Sequence, residues 1–233
     1  MQSVLVYGRF LTRALINGVY NYSSSTEAAV NRKRERDFRL LAVACGFPKV
    51  SSRFSALLNR GRYGDDASFF ARYKTADVLG VADGVGGWRN YGIDPSLFSY
   101  TLMETCERLL ILYTDTSALP VQEGDLILLA TDGLFDNLPE SVIVQQLSKL
   151  GDHNMENLQK MVNSLAFQAH RLAFDANYLS PFSKRARENG IDVLGGKPDD
   201  VTVLLAAVTN LFGEKSDSIA AVVAQHTCSS DHG

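Results

Sequence analysis

The amino-acid sequence predicts an α+β fold in which β-sheets are covered by helices. Two observations lead to this prediction. Short apolar runs of strand length end at glycine, proline or aspartate, and longer segments between them repeat apolar residues every three or four positions. Strands grouped in this way with long helices between them are typical of layered sheets and helices. The chain has 233 residues, 45% of them hydrophobic, which is enough to bury one substantial core.

Five strands are predicted, each from an apolar run. The first is entered through Phe38 and Arg39 and ends before Gly46 and Pro48. The predicted strands span residues 40–45, 66–73, 77–82, 125–131 and 201–208. The third and fourth run directly into Asp-Gly pairs, so we expect both to end in tight turns.

Four helices are predicted from capping residues and apolar periodicity. Leu158, Val162 and Leu165 fall on one face of the longest, which predicts that this face packs against the core. Each helix begins at a residue suited to a helix N-terminus. The helices span residues 96–112 after Asp94-Pro95, a short segment from Asn137 or Pro139 to near Gly151, residues 155–173 after Asn154, and a last segment from Ser180-Pro181 to Asn189-Gly190.

Composition excludes several classes of protein. The net charge of −3 and the pI of 5.8 exclude nucleic-acid binding through overall charge. No apolar run reaches the roughly 18–20 residues that a membrane-spanning helix needs, so we expect no transmembrane segment. Cys45, Cys106 and Cys228 lack the spacing of metal ligands and are predicted to be reduced thiols.

Charge is distributed unevenly between the N-terminus and the rest of the chain. Residues 1–36 carry a net charge of +4, and the remainder carries −7. The first 26 residues contain Arg9 and Arg13, no acidic residue and a run of three serines. This pattern predicts a mitochondrial targeting segment and a location in the matrix, the alternatives being an ordinary N-terminal helix or a disordered arm. The polar residues 213–233 are predicted to form a flexible tail.

Aspartates beside glycine recur where the predicted strands begin or end. A carboxylate at a strand end is held rigidly, and a neighbouring glycine lets the backbone approach a ligand. Converging carboxylates repel one another unless a hard divalent cation binds them. The four sites are Gly64-Asp65-Asp66-Ala67, Ala82-Asp83-Gly84, Thr131-Asp132-Gly133 and Lys197-Pro198-Asp199-Asp200. Each alone is more simply a turn or a cap; together they predict a two-metal site suited to attack on a phosphate ester.

The motifs GDDA, ADGVGGW, ATDGLFD and GKPDDVTVLL, in this order, resemble those of the metal-dependent protein phosphatases of the type 2C group. The resemblance covers roughly residues 38–210 and is nearest to the mitochondrial branch, which targets a coenzyme Q biosynthesis protein. It implies an antiparallel β-sandwich flanked by helices on both faces. It also implies a protein serine/threonine phosphatase that acts on a phosphoprotein, uses two divalent cations, Mn²⁺ or Mg²⁺, and forms no phospho-enzyme.

The resemblance assigns five metal ligands. Asp83 would bridge both ions. Asp65 and the carbonyl of Gly84 would bind one of them, and Asp132 and Asp199 would bind the other. The water that attacks phosphorus would lie between the ions, so Asp83 belongs to the catalytic machinery as well as to the metal site.

The resemblance also assigns roles around the metals. Asp66 would orient a water on the ions, and Asp136 and Asp200 would accept hydrogen bonds that support the ligands. Many members of the group have a histidine, a proposed general acid, where this chain has Val85, which carries no proton to donate. Arg62 lies near the place of a phosphate-binding arginine without aligning to it; an exposed arginine beside glycines is the alternative.

The connector of residues 111–122 is short, whereas the family has a long central segment with several strands at this place. The predicted domains are residues 1–36, a targeting segment; residues 37–212, a phosphatase-like domain with an internal deletion near 110–121; and residues 213–233, the tail. Without the central strands the sandwich would be incomplete, with open edges and exposed apolar faces. Three hypotheses follow: a compact active phosphatase, a truncated product that catalyses little, and a non-catalytic interaction protein. We assign the phosphatase function from the resemblance and do not expect full activity.

Overall fold

A computed structural model describes residues 4–7, 37–49, 61–74, 76–109 and 120–211. The strands are β1 (Val4–Tyr7), β2 (Phe38–Phe47), β3 (Arg62–Tyr63), β4 (Asp66–Arg72), β5 (Asp77–Ala82), β6 (Leu126–Ala130) and β7 (Val201–Asn210). The helices are α1 (Ser96–Leu109), α2 (Asp132–Phe135), α3 (Glu140–Leu147), α4 (Met155–Ala173) and α5 (Pro181–Glu188), with a 3₁₀ helix at Gly86–Tyr91. The predicted α+β class is confirmed.

The strands form two sheets in the described part of the chain. The larger has the order β1-β6-β7-β2, and the smaller has the order β3-β4-β5. Every pairing is antiparallel except that of β1 with β6, which is parallel. The two sheets contact each other through β4 and β7 and through β5 and β6. Helix α4 packs on the larger sheet and α1 on the smaller, so helices flank both sheets as predicted.

The larger sheet and its helices enclose the main hydrophobic core. Strand β7 lies between β6 and β2, and its residues 201–208 are buried on both faces. The predicted apolar face of α4 is confirmed, because Leu158, Val162 and Leu165 are fully buried. Asn154 caps this helix as expected, accepting a hydrogen bond from the backbone N–H of Asn157 at 2.8 Å.

The smaller sheet packs against α1 around a second, much smaller core. Ala67, Phe69, Ala82 and Met103 form this core. Most of β5 is only half-buried, because it is an edge strand of its sheet. Several apolar side chains of α1 lie exposed. The exposed residues of this helix are Leu97, Phe98 and Leu102.

Four elements differ from the sequence prediction. Strand β1 and the two-residue strand β3 are not predicted, because neither has a long apolar run. Tight turns are predicted at the Asp-Gly pairs 83–84 and 132–133, whereas residues 86–91 form a 3₁₀ helix and residues 132–135 form α2. Both begin beside a glycine, where a turn and the first turn of a helix share the same local signals.

Some predictions concern residues outside the described ranges. They include most of the targeting segment, the connector 111–119, the tail from residue 213, and Cys228. Cys45 and Cys106 are free thiols, as expected, and burial raises the pKa of the Cys45 thiol. None of the helices in the described ranges is long and apolar enough to cross a membrane.

Candidate active site

The predicted aspartates lie at strand ends where the two sheets meet. Asp65 and Asp66 lie where β4 begins, and Asp83 follows β5 in the same sheet. Asp132 follows β6, and Asp199 precedes β7, in the larger sheet. The site is therefore assembled from both sheets, and its geometry depends on how they are joined.

Asp83 lies at the centre of the negative charge. Its pKa is raised to about 7, first by burial and then by the negative charges of Asp132 and Asp199, while Lys197 opposes the shift. The Asp132 carboxyl group also raises this pKa by its closeness to Asp83. The structure thus brings together three of the predicted metal ligands, two of them from the opposite sheet.

Asp66 is the most deeply buried of the predicted site residues, with only 1% of its surface exposed. Its carboxylate accepts a hydrogen bond from the Thr131 hydroxyl at 2.7 Å, and that hydroxyl accepts one from the backbone N–H of Thr202 at 3.1 Å. Burial and, secondly, the charge of Asp83 raise the pKa of Asp66 to about 8, and the Thr131 hydroxyl partly offsets them. These bonds tie the first residue of β4 to the ends of β6 and β7.

Asp200 holds the turn that carries Asp65. One carboxylate oxygen accepts the backbone N–H of Asp65 at 2.7 Å, and the other accepts that of Lys49 at 2.5 Å. Gly64 has φ +71°, and a Cβ at this position would lie 2.2 Å from the Asp200 carboxylate. Only glycine fits there without displacing Asp200. Asp200 therefore accepts hydrogen bonds beside Asp65, and its predicted support of a metal ligand stays a prediction.

Gly84 packs directly on the Asp65 turn. A Cβ at this position would lie 2.4 Å from the Asp65 carbonyl oxygen and 3.0 Å from that of Pro95. The hydroxyl of Ser99, on α1, donates to the same Asp65 carbonyl. The Arg89 side chain, on the 3₁₀ helix, makes an ion pair with the Asp65 carboxylate. Asp65 is therefore held beside Gly84, and its carboxylate is paired with the Arg89 guanidinium.

Lys197 lies among the carboxylates of the larger sheet. Its ammonium nitrogen is 2.6 Å from Asp132, 2.8 Å from Asp136 and 3.2 Å from Asp199. Burial lowers the pKa of Lys197, but the hydrogen bonds to Asp132 and Asp136 outweigh it, so the net shift is upward. Asp136 also accepts a hydrogen bond from Arg185, and its predicted support of the metal ligands stays a prediction.

Several curated proteins similar to this chain are named as PTC7 protein phosphatases. The chain is 37% identical to the human protein phosphatase PTC7 homolog, in an alignment covering 89% of this chain and 98% of that protein. The Xenopus laevis protein of the same name is 36% identical over the same shares. A Drosophila willistoni relative, PTC7 homolog fig, is 32% identical over 72% and 84% of the two chains. No protein-family model matches. The chain belongs to the PTC7 protein phosphatases.

Membership of the PTC7 family makes the chain a protein phosphatase and favours the enzyme over the interaction-protein alternative. A solved structure, the photosystem II phosphatase PBCP, matches with a TM-score of 0.59 and 19% identity over 72% of this chain and 98% of that one. That likeness supports the predicted phosphatase fold. The alignment with the human relative is 305 residues long but uses 89% of this 233-residue chain, so roughly a third of it has no counterpart in this chain. The position of the deletion, near 110–121, stays a prediction.

The donor set of this PTC7 chain fits a hard divalent cation, because every converging ligand is a carboxylate or carbonyl oxygen. As the side chains stand, no three acidic, histidine or cysteine residues in the described ranges are placed to hold a metal ion. Arg89 and Lys197 make ion pairs with the carboxylates of Asp65, Asp132 and Asp199.

In this structure, none of Val85, Arg62 and His170 supplies the proton donor or the phosphate-binding arginine that is typical of the family. Val85 is 60% exposed and has no acidic proton. The Arg62 guanidinium stacks over the Tyr100 ring, 4.6 Å from its centroid, and the Tyr100 hydroxyl donates to the Gly64 carbonyl. His170, on α4, stacks on Phe47 with ring centroids 5.1 Å apart. His170 therefore contacts aromatic residues beside the main core, and it does not replace the histidine that many family members have at the position of Val85.

Four residues that contact the predicted site aspartates are given no role by the sequence prediction: Thr131, Arg89, Arg185 and Lys197. Two of them stand inside the quoted motifs, Thr131 directly before Asp132 and Lys197 two residues before Asp199. Their position in the motifs was a usable signal. Arg185, on α5, has no local signal, because only the fold brings it to Asp136.

Proposed function

We propose that this carboxylate cluster is a two-metal centre, for Mn²⁺ or Mg²⁺, that hydrolyses phosphoserine and phosphothreonine esters in protein substrates. The observation that carries the proposal is Asp83, which comes from the smaller sheet and interacts with Asp132 and Asp199 from the larger one. Carboxylates crowded in this way favour a bound cation, since the cation removes their mutual repulsion. Membership of the PTC7 protein phosphatases supports the same reaction.

The ligands divide between two positions. Asp65 and the Gly84 carbonyl would hold one ion, Asp132 and Asp199 the other, and Asp83 would contact both. Ions bound there would neutralise the carboxylates and the substrate phosphate and activate water for attack on phosphorus. The substrate is bound and oriented by the same charge.

The remaining residues hold the ligands in place. Asp200 fixes the Asp65 turn through two backbone N–H groups, and Thr131 fixes the Asp66 carboxylate. Asp66, buried beside Asp83, would accept a proton from the attacking water or orient that water. Because Val85 has no proton donor, the leaving alkoxide would take its proton from water.

The proposal is tested by hydrolysis of a phosphoserine peptide by the purified chain, with Mn²⁺ or Mg²⁺ added to EDTA-treated protein. We expect release of phosphate that depends on the metal. Asp83→Asn should lower the rate about 10²–10³-fold, whereas Asp152→Asn, a matched change at an exposed aspartate, should leave it unchanged. Phosphate release that is independent of metal, or that survives in Asp83→Asn, would contradict the proposal.

We also propose a mitochondrial location for this phosphatase. The proposal is supported by the arginine-bearing, acid-free first 26 residues. Fusion of residues 1–36 to a fluorescent reporter should direct the reporter to mitochondria, and replacing Arg9 and Arg13 with glutamine should abolish import. A reporter that stays in the cytosol with the intact segment would contradict it.

A further inference from the structure

Lys197 contacts proposed metal ligands but has no role in the proposed reaction. Its ammonium group lies within 2.6–3.2 Å of Asp132, Asp136 and Asp199, and only 29% of its side-chain surface is exposed. Two of these three carboxylates are proposed ligands of the same ion. One positive side chain therefore takes the oxygens that a divalent cation would need.

The backbone of Lys197 is fixed independently of its charge. The side chain of Asn137, which is fully buried, accepts the Lys197 N–H at 2.9 Å and donates to the Lys197 carbonyl at 2.9 Å. The stem reaches past the Phe182 ring, whose centroid is 5.9 Å from the ammonium nitrogen. These two hydrogen bonds set the Lys197 backbone beside Asp132 and Asp199, whereas the side chain is held through the ion pairs of its ammonium group.

Asp136 can keep the Lys197 ammonium group paired when the other two carboxylates are released. This carboxylate is not a proposed metal ligand, and it is 7% exposed and already paired with Arg185. Lys197 can therefore keep its 2.8 Å contact with Asp136 after leaving Asp132 and Asp199. The charge would remain compensated by a buried partner, which lowers the cost of the exchange.

We infer that Lys197 is a positioning residue that holds Asp132 and Asp199 together in the metal-free protein and must release both before a divalent cation binds between them. The inference rests on the proposed metal centre and concerns its second ion. It makes binding of that ion an exchange of one cation for another, so the affinity for the second ion is weakened by the resident ammonium group. When no metal is bound, the same ammonium group offsets the repulsion between the carboxylates of Asp132 and Asp199.

The test is a titration of EDTA-treated protein with Mn²⁺, followed by calorimetry and by the electron paramagnetic resonance of free Mn²⁺. Lys197→Met should bind the weaker Mn²⁺ about tenfold more tightly than the natural chain, because the ammonium group no longer competes with Mn²⁺ for the carboxylates of Asp132 and Asp199. The same variant without metal should unfold at a lower temperature, and Mn²⁺ should restore it. Lys160→Met, which removes an exposed lysine of α4, should change neither measurement, and Lys197→Arg should keep the weak affinity.

The outcomes separate this inference from the proposed function. Two Mn²⁺ ions bound equally well by the natural chain and Lys197→Met, or bound less well by the variant, would overturn the inference and leave the metal centre standing. No Mn²⁺ binding by the natural chain would overturn both. Should Lys197→Met fail to fold, lysine side-chain NMR of the natural chain during a Mg²⁺ titration decides: the Lys197 signal should shift, and an unmoved signal overturns the inference.

Discussion

The two sheets of this phosphatase are packed very differently. Residues 201–208 of β7 are buried on both faces, and Leu158 and Leu165 of α4 have no exposed surface. On the other side, β5 is half-buried, and Leu97 and Phe98 of α1 are 62% and 64% exposed. Apolar side chains left in water contribute little to stability. The larger sheet with its helices therefore provides most of the stability, and the smaller sheet with α1 is the weaker part.

The proposed active site takes ligands from both parts. Asp132 and Asp199 belong to the tightly packed sheet, whereas Asp65, Asp66 and Asp83 belong to the loosely packed one. A metal centre that joins the two would stabilise the weaker part, because ligand binding to the folded state adds to its stability. The scaffold of this site is therefore robust on one side only.

The greatest loss of stability is expected from a leucine in the tightly packed part. Leu205→Ala removes a fully buried side chain of β7 and should cost about 2–5 kcal/mol of unfolding free energy, through lost burial and a cavity. Leu97→Ala, on the exposed face of α1, should cost less than about 0.5 kcal/mol. Urea unfolding followed by circular dichroism measures both. Equal losses would contradict the difference in packing.

A second variant breaks the link between the two sheets. Thr131→Val keeps the shape of the side chain but removes the donor to Asp66 and the acceptor of the Thr202 N–H. We expect a loss of about 1–3 kcal/mol, since buried polar groups lose their partners. Thr209→Val is the matched control: its hydroxyl donates to the Arg39 carbonyl at 3.3 Å and is only partly buried. The control should lose clearly less in the same urea titration.

A smaller, graded effect should appear with pH in the metal-free protein. The pKa values of Asp66 and Asp83, about 8 and about 7, lie above the ordinary 3.8. Between these limits the folded state binds more protons than the unfolded state, so stability falls as pH rises from about 5 to about 8. Asp66→Asn should flatten the dependence. Asp94→Asn, at an exposed helix-capping residue whose pKa is lowered, should not. A thermal unfolding temperature in EDTA that is constant or rises over this range would contradict proton binding by these two carboxyl groups.

Local signals explain why much of the fold is predictable from the sequence. The bounds of β5 match the predicted residues 77–82, and Asn154 and Ser180 cap α4 and α5 as expected. Apolar periodicity and capping act within a few residues. Strand β1 is different, because it is held by pairing with β6, more than a hundred residues away along the chain.

Some residues of the site are likewise predictable from local signals, whereas others depend on distant contacts. Its aspartates are predictable because each stands in a short motif at a strand end. Their partners Arg89 and Arg185 are not, because each reaches its carboxylate only through the folded arrangement of different elements. Exposed apolar faces are an expectation from the short connector, but which side chains of α1 lie exposed depends on the packing of β4 and β5 against the helix.

Hydrogen exchange with and without Mn²⁺ decides whether one metal centre joins a robust and a weak part of the molecule. Without metal, backbone amides of residues 61–72 and 77–109 should exchange faster than those of residues 126–136 and 201–208. Mn²⁺ should slow exchange mainly in the first two segments, and Asp83→Asn should abolish this protection. Equal exchange in both parts without metal, or no added protection with Mn²⁺, would contradict a metal centre that joins two unequally stable sheets.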